Sequence, residues 1–189
     1  MDWVLLEIKN SSGITKSRNA AFVREDGKIV DLDGTSAISL YGLGSGIFNI
    51  TIRHRNHLGI STQNGFLFVT TSLGVPPSNP QNFDFTTATD AAIFGDALAF
   101  KVVNGINVMV GGNANGNNNV RYANINNDPS SILVFLGGIV SGVMTNIYSP
   151  NDVNLDGTVR YANLNNDPGF LLNNALGGTI TAVIIEQKR

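Results

Sequence analysis

At 189 residues, with 42% hydrophobic and only 14% charged, the chain has the composition of a folded globular protein long enough for a real core. A formal charge of -2 and a pI near 5.5 leave no basic footprint for nucleic acid or an anionic membrane. The absence of cysteine excludes disulfides, thiol nucleophiles and Cys-ligated zinc or iron–sulfur clusters, and no apolar run is long enough to span a bilayer.

Residues 1–73 read as short strands at roughly ten-residue intervals, punctuated by Gly and Asn. In WVLLEIK (3–9), Val4, Leu6 and Ile8 alternate with Trp3, Leu5 and Glu7, and Trp3 is expected in the core. AAFVRE (20–25) and KIVDL (28–32) flank a turn at Asp26-Gly27, and a second turn falls at Asp33-Gly34. IFNITIRHR (47–55) alternates cleanly, and Asn64-Gly65 leads into FLFVTT (66–71). This spacing predicts a mainly β fold opening with an antiparallel β-sandwich.

The proline-rich stretch 74–82 is the expected linker. Beyond it, 83–189 reads as a β-rich region in which Thr89 or Asp90 caps a short helix and INVMV (106–110) forms a buried strand.

That region carries one motif twice. NANGNNNVRYANINNDP (113–129) returns thirty-nine residues later as DVNLDGTVRYANLNNDP (152–168), and the two repeats span about 111–148 and 150–189. Each motif ends in Asp-Pro, with Asp128 and Asp167 placed as helix N-caps and Gly137 and Gly177 as C-terminal stops. The strands IVSGVMTNIY (139–148) and TITAVIIEQ (179–187) are expected to follow. The architecture predicted is therefore a sandwich followed by a duplicated unit of loop, short helix and strand. Tyr122 and Tyr161, at equivalent positions, are expected to pack between loop and helix.

The second loop reads D-x-N-x-D-G, the opening of a calcium loop. Calcium takes six to eight hard oxygens, and alternate side chains on a tightly turning chain converge on one point. The expected ligands are Asp152, Asn154 and Asp156, the carbonyl of Thr158, and Asp167 to complete the shell, because Asn163 stands where a closing Glu is usual. The first loop offers Asn113, Asn115, Asn117 and Asn119, with Asp128 its sole carboxylate. It is expected to bind calcium weakly or to stay empty, its amides holding the loop without the ion.

These paired loops resemble dockerin-type repeats, and DWVLLEIKN with GSGIFNITIRHRNHLGI resembles the strand-rich modules that precede such repeats near the C-termini of large secreted bacterial surface proteins. The resemblance implies an exported, calcium-containing module without assigned catalysis, located outside the cell or on its surface. The chain itself opens on a strand, with no basic segment followed by an apolar stretch, so no signal peptide is read in it.

An enzyme is not expected. His54 and His57 lack a sequence-local third metal ligand, no G-x-S-x-G or H-E-x-x-H string occurs, and Asp31 and Asp33 sit in a turn-like VDLDGT. The function read is a structural or adhesive module stabilised by calcium. Its apolar end strands would allow assembly with other copies through edge pairing into a filament. The other reading is a carbohydrate-binding or accessory domain of a secreted surface protein, with surface glycans as its partners.

Overall fold

The computed structural model describes residues 1–40, 43–69 and 82–188. The chain is mainly β, with antiparallel sheets and short helices. It divides into two compact units: Met1–His54, Gly59–Val108 and Gln187–Arg189 form the first, and Arg55–Leu58 with Met109–Glu186 the second. The linker expected at 74–82 lies, but for Asn82, outside the described residues, as do the last two residues of the strand expected at 66–71. Residues 83–108 belong to the first unit and not with the repeats.

In the first unit, β1 (Asp2–Lys9) lies at the centre of one antiparallel sheet. On one side it pairs with β2 (Thr15–Val23), which pairs with β3 (Ile29–Val30). On the other it pairs with β4 (Gly46–Arg53), whose neighbours are β5 (Ile60–Ser61) and β6 (Phe66–Phe68). All six strands join this one sheet, where two facing sheets were expected.

Alternation places Val4, Leu6 and Ile8 in the core, the face opposite Trp3. Trp3 is not in the core: it is 48% exposed and its ring rests 4.3 Å from that of Phe22 on β2. The surprise on its face is Glu7, only 5% exposed, which receives Arg53 Nε at 2.9 Å, Arg18 Nε at 3.0 Å and Lys9 Nζ at 3.4 Å. Where β4 passes from pairing with β6 to pairing with β5, buried Asn49 donates its side-chain amide to the carbonyls of Thr62 (2.9 Å) and Gln63 (3.3 Å).

A ribbon of β7 (Lys101–Val103) and β8 (Ile106–Val108) follows, turned by Asn104 and Gly105, both at positive φ. The buried strand expected at 106–110 is thus a short exposed one, with Ile106 half exposed, and only Val110 beyond it is buried. The helix expected near Thr89 is a single 3₁₀ turn, Asp90–Ala92, which the Thr89 side chain does not cap.

In the second unit, β9 (Asn119–Arg121) precedes α1 (Asp128–Phe135) and β10 (Val143–Thr145). Next come β11 (Thr158–Arg160), α2 (Asp167–Phe170) and β12 (Val183–Ile185). The long strands expected after each helix shrink to three residues, because 139–142 and 179–182 fold as turns closed by Gly142 N–H on the Ile139 carbonyl and Ala182 N–H on the Thr179 carbonyl.

The pairing is reciprocal. β10, from the first repeat, pairs with β11 of the second (Val143 opposite Arg160), and β12, from the second, pairs with β9 of the first (Val183 opposite Arg121). Each repeat thus supplies the strand that completes the other, and equivalent residues meet at the core: Ala114 and Val153, Val120 and Val159, Ile132 and Leu171. Tyr122 and Tyr161 pack against this cluster, partly buried. Both end strands of the chain are therefore paired internally, β1 on both edges and β12 with β9.

Candidate calcium loop and its amide twin

The two loops share one hydrogen-bonding plan. In the second, Asp152 Oδ1 and Asn154 Oδ1 both accept from the N–H of Asp156, at 3.1 and 3.0 Å, and Asp156 Oδ1 accepts from Thr158 N–H at 2.8 Å. In the first, Asn113 Oδ1 and Asn115 Oδ1 both accept from the N–H of Asn117 at 3.1 Å, and Asn117 Oδ1 accepts from Asn119 N–H at 3.2 Å. Asn154 and Asn115 each donate to the backbone carbonyl two residues before the loop's aspartate, Asn165 and Asn126. Left-handed residues also recur in step: Gly116 with Leu155, Asn118 with Gly157, Asn124 with Asn163, Asn126 with Asn165. Asparagine and glycine tolerate that conformation, Leu155 being the exception, and in the first loop asparagine amides make the turn bonds that Asp152 and Asp156 make in the second.

Asp128 and Asp167 do not cap the helices. The caps are Asn127 and Asn166, whose Oδ1 atoms accept from Ser130 N–H (2.8 Å) and Gly169 N–H (2.7 Å). Proline at the second helical position lets the cap fall one residue earlier than the sequence suggested. The freed aspartates turn inward and are fully buried. Asp167 accepts from Val153 N–H (2.9 Å) and Arg160 N–H (2.8 Å), and Asp128 from Asn115 N–H (3.3 Å) and Arg121 N–H (2.9 Å). Each carboxylate ties the start of its loop to the strand that leaves it. Burial pushes both carboxyls up to about 6, against the lowering effect of those N–H bonds, and for Asp167 the charge of Asp152 adds to the rise.

The donor set of the second loop is Asp152, Asn154 and Asp156, hard oxygens of the kind calcium takes. Thr158 enters β11, and the carbonyl of Asn163 is taken by the Asn166 side chain at 2.6 Å. Asp167, expected to close the shell, has both oxygens engaged by backbone; its bond from Arg160 N–H matches the one Asp128 accepts from Arg121, while its other donor, Val153, stands one place before the equivalent of Asn115. Among the described residues no three carboxylate or imidazole side chains gather closely enough to form a metal site. Cationic side chains approach the acids instead: Arg55 Nη1 lies 3.9 Å from Asp152 Oδ2, and Arg160 Nη2 lies 3.7 Å from Asp156 Oδ2. The Arg55 guanidinium also stacks over the Tyr148 ring at 4.2 Å.

Asn56 is a functional residue that sequence reasoning missed. It is fully buried; its side-chain amide donates to the Asp152 carbonyl at 2.7 Å, and its own carbonyl accepts from Gly112 and Asn113 N–H at 2.9 Å each. One residue, more than fifty positions away in the chain, thus holds the first residue of both loops. No local pattern marks such a residue.

The residues weighed for catalysis have structural work. Asp33 accepts from the Thr35 and Ser36 N–H groups and the Ser36 hydroxyl, and Asp31 from the N–H groups of Leu32 and Ser39, as a turn requires. His54 Nε2 lies 3.0 Å from Asp2 Oδ2, and His57 sits in an antiparallel bridge with Gly111. Comparison with protein families, curated proteins and solved structures finds no significant match for this chain.

Proposed function

We propose that the chain is a non-catalytic structural or adhesive module of the cell surface, with calcium held in its second loop and its first loop metal-free. The observation that supports this best is the convergence of Asp152 Oδ1 and Asn154 Oδ1 on a single N–H, with Asp156 next in the turn. A cation drawn to that point meets two carboxylates and an amide oxygen, while the same point in the first loop meets only amides. The ion's role is to stiffen the loop. With an affinity near ~10⁻⁴ M and roughly millimolar ion, mass action contributes about 1.4 kcal/mol. Assembly of copies by strand sharing would have to use the second edge of β12, since β1 is paired on both of its edges and β12 on one.

Calorimetric titration with calcium tests the proposal. One site is expected, abolished by Asp152→Asn together with Asp156→Asn, and chelation should speed proteolysis of 150–168 ahead of the first unit. Two equivalent sites, or no heat at all, would refute it.

A further inference from the structure

An open cavity of about 460 Å³ lies against the second loop and α2. Its wall carries Asn154, Asp156, Asn165, Phe170, Asn173 and Asn174. The volume falls within the range of small-molecule sites, about 300–1,000 Å³. No lysine or arginine lines it, so the wall does not suit an anion. Its one carboxylate, Asp156, already accepts from Thr158 N–H and the Asn154 amide. What remains is a set of side-chain amides, each both donor and acceptor, around a phenyl ring that is 38% exposed. Among the described residues the side-chain amides of Asn165 and Asn173 have no hydrogen-bond partner.

A second observation points to the same wall. The repeats run in step from loop to Asp-Pro, but the second has one more residue before its Gly-Gly. That residue is absorbed as a π turn, Leu171–Ala175, closed by Leu176 N–H on the Leu171 carbonyl. Such turns are rare and concentrate at functional sites. This one presents Asn173 and Asn174 to the cavity, where the first repeat has Val134 and Phe135, and Phe170 stands where the first repeat has Ser131.

We propose that this wall binds a neutral saccharide, a stretch of glycan a few rings long. Phe170 lies under the apolar face of one ring, and the Asn165 and Asn173 amides bond vicinal hydroxyls. Phe170 and Asn173 are positioned by α2 and its π turn, independently of the calcium reading, whereas Asn165 is held by the Asn154 amide on its carbonyl.

The test is ¹⁵N-detected titration of the full chain with neutral oligosaccharides of gluco, galacto and manno configuration, in calcium and again in chelator. At least one sugar should shift the side-chain NH₂ signals of Asn165 and Asn173 and the Gly169 amide, with a Kd of around 1 mM. Phe170→Ala and Asn173→Ala should each weaken it about tenfold or more, with the remaining spectrum unchanged. Absence of these shifts in both buffers, equal binding by the variants, or shifts from peptides where the sugars give none would overturn the proposal.

Discussion

Replacing Glu7 by Gln removes the anion that holds three cations over the centre of the first unit's sheet. Glu7 and Lys9 are each 5% exposed, so the variant takes from a buried ammonium the carboxylate it meets at 3.4 Å, and from Arg53 the one it meets at 2.9 Å. Burial alone would raise the Glu7 carboxyl; the Arg53 and Arg18 hydrogen bonds, with the charges of Arg53 and Lys9, outweigh it and hold the group at about 2, down from 4.5. At about 1.4 kcal/mol per unit this is of order 3 kcal/mol. The Arg18 side chain is 63% exposed, so its share is screened, and about 2 kcal/mol is the better expectation. Because the folded pKa is depressed, the stabilisation is complete above 4.5 and disappears as pH falls through about 2. Urea unfolding followed by the fluorescence of Trp3, the chain's single tryptophan, reads it directly. Glu7→Gln should lower stability by about 2 kcal/mol near neutral pH, and the gap should close towards about pH 2. A gap that stays constant across that range would show that the cost is one of packing, and the electrostatic account would fail.

Three further outcomes test the second unit. Asp128, raised to about 6 from 3.8, binds its proton more tightly when folded, so its contribution is fully present below 3.8 and is lost as pH rises through about 6. In chelator, its side-chain carboxyl carbon should titrate near 6 by NMR, and Asp128→Asn should flatten the decline in thermal midpoint over that interval; titration near 4 would contradict this. Asn56→Ala strands the Asp152 carbonyl in the interior and should cost about 1–3 kcal/mol, with amide exchange accelerating in the second loop; an unchanged exchange pattern would count against the clamp. Gly112→Ala should cost about 2 kcal/mol or more in urea unfolding, since φ is +110° and the new Cβ meets Leu171 and Val120 at 3.1 Å; a neutral result would mean the core there yields easily.

What could be read from the chain was local. The alternation in β1 and β4, the turns at Asp26-Gly27 and Asp33-Gly34, and the helices after each Asp-Pro all lie where neighbouring residues put them. The half of β2 before Ala20 was missed because TKSRN is polar on both faces and only its pairing with β1 makes it a strand. Reading Asp128 and Asp167 as caps erred by one residue, since asparagine and aspartate compete for the same role and only burial decides which turns inward. The loop acids were legible at 152, 154 and 156, whereas Arg55, Asn56 and the cavity wall were not: their roles depend on segments distant in sequence. The one-residue offset between Gly137 and Gly177 was visible in the text, yet its meaning as a π turn needed the backbone.

The reciprocal exchange of β10 and β12 sets a schedule for synthesis. As the polypeptide leaves the ribosome, β9 must wait for a mate that is made some sixty residues later. An early repeat whose loop carries amides in place of acids thus still serves as the berth for the later one.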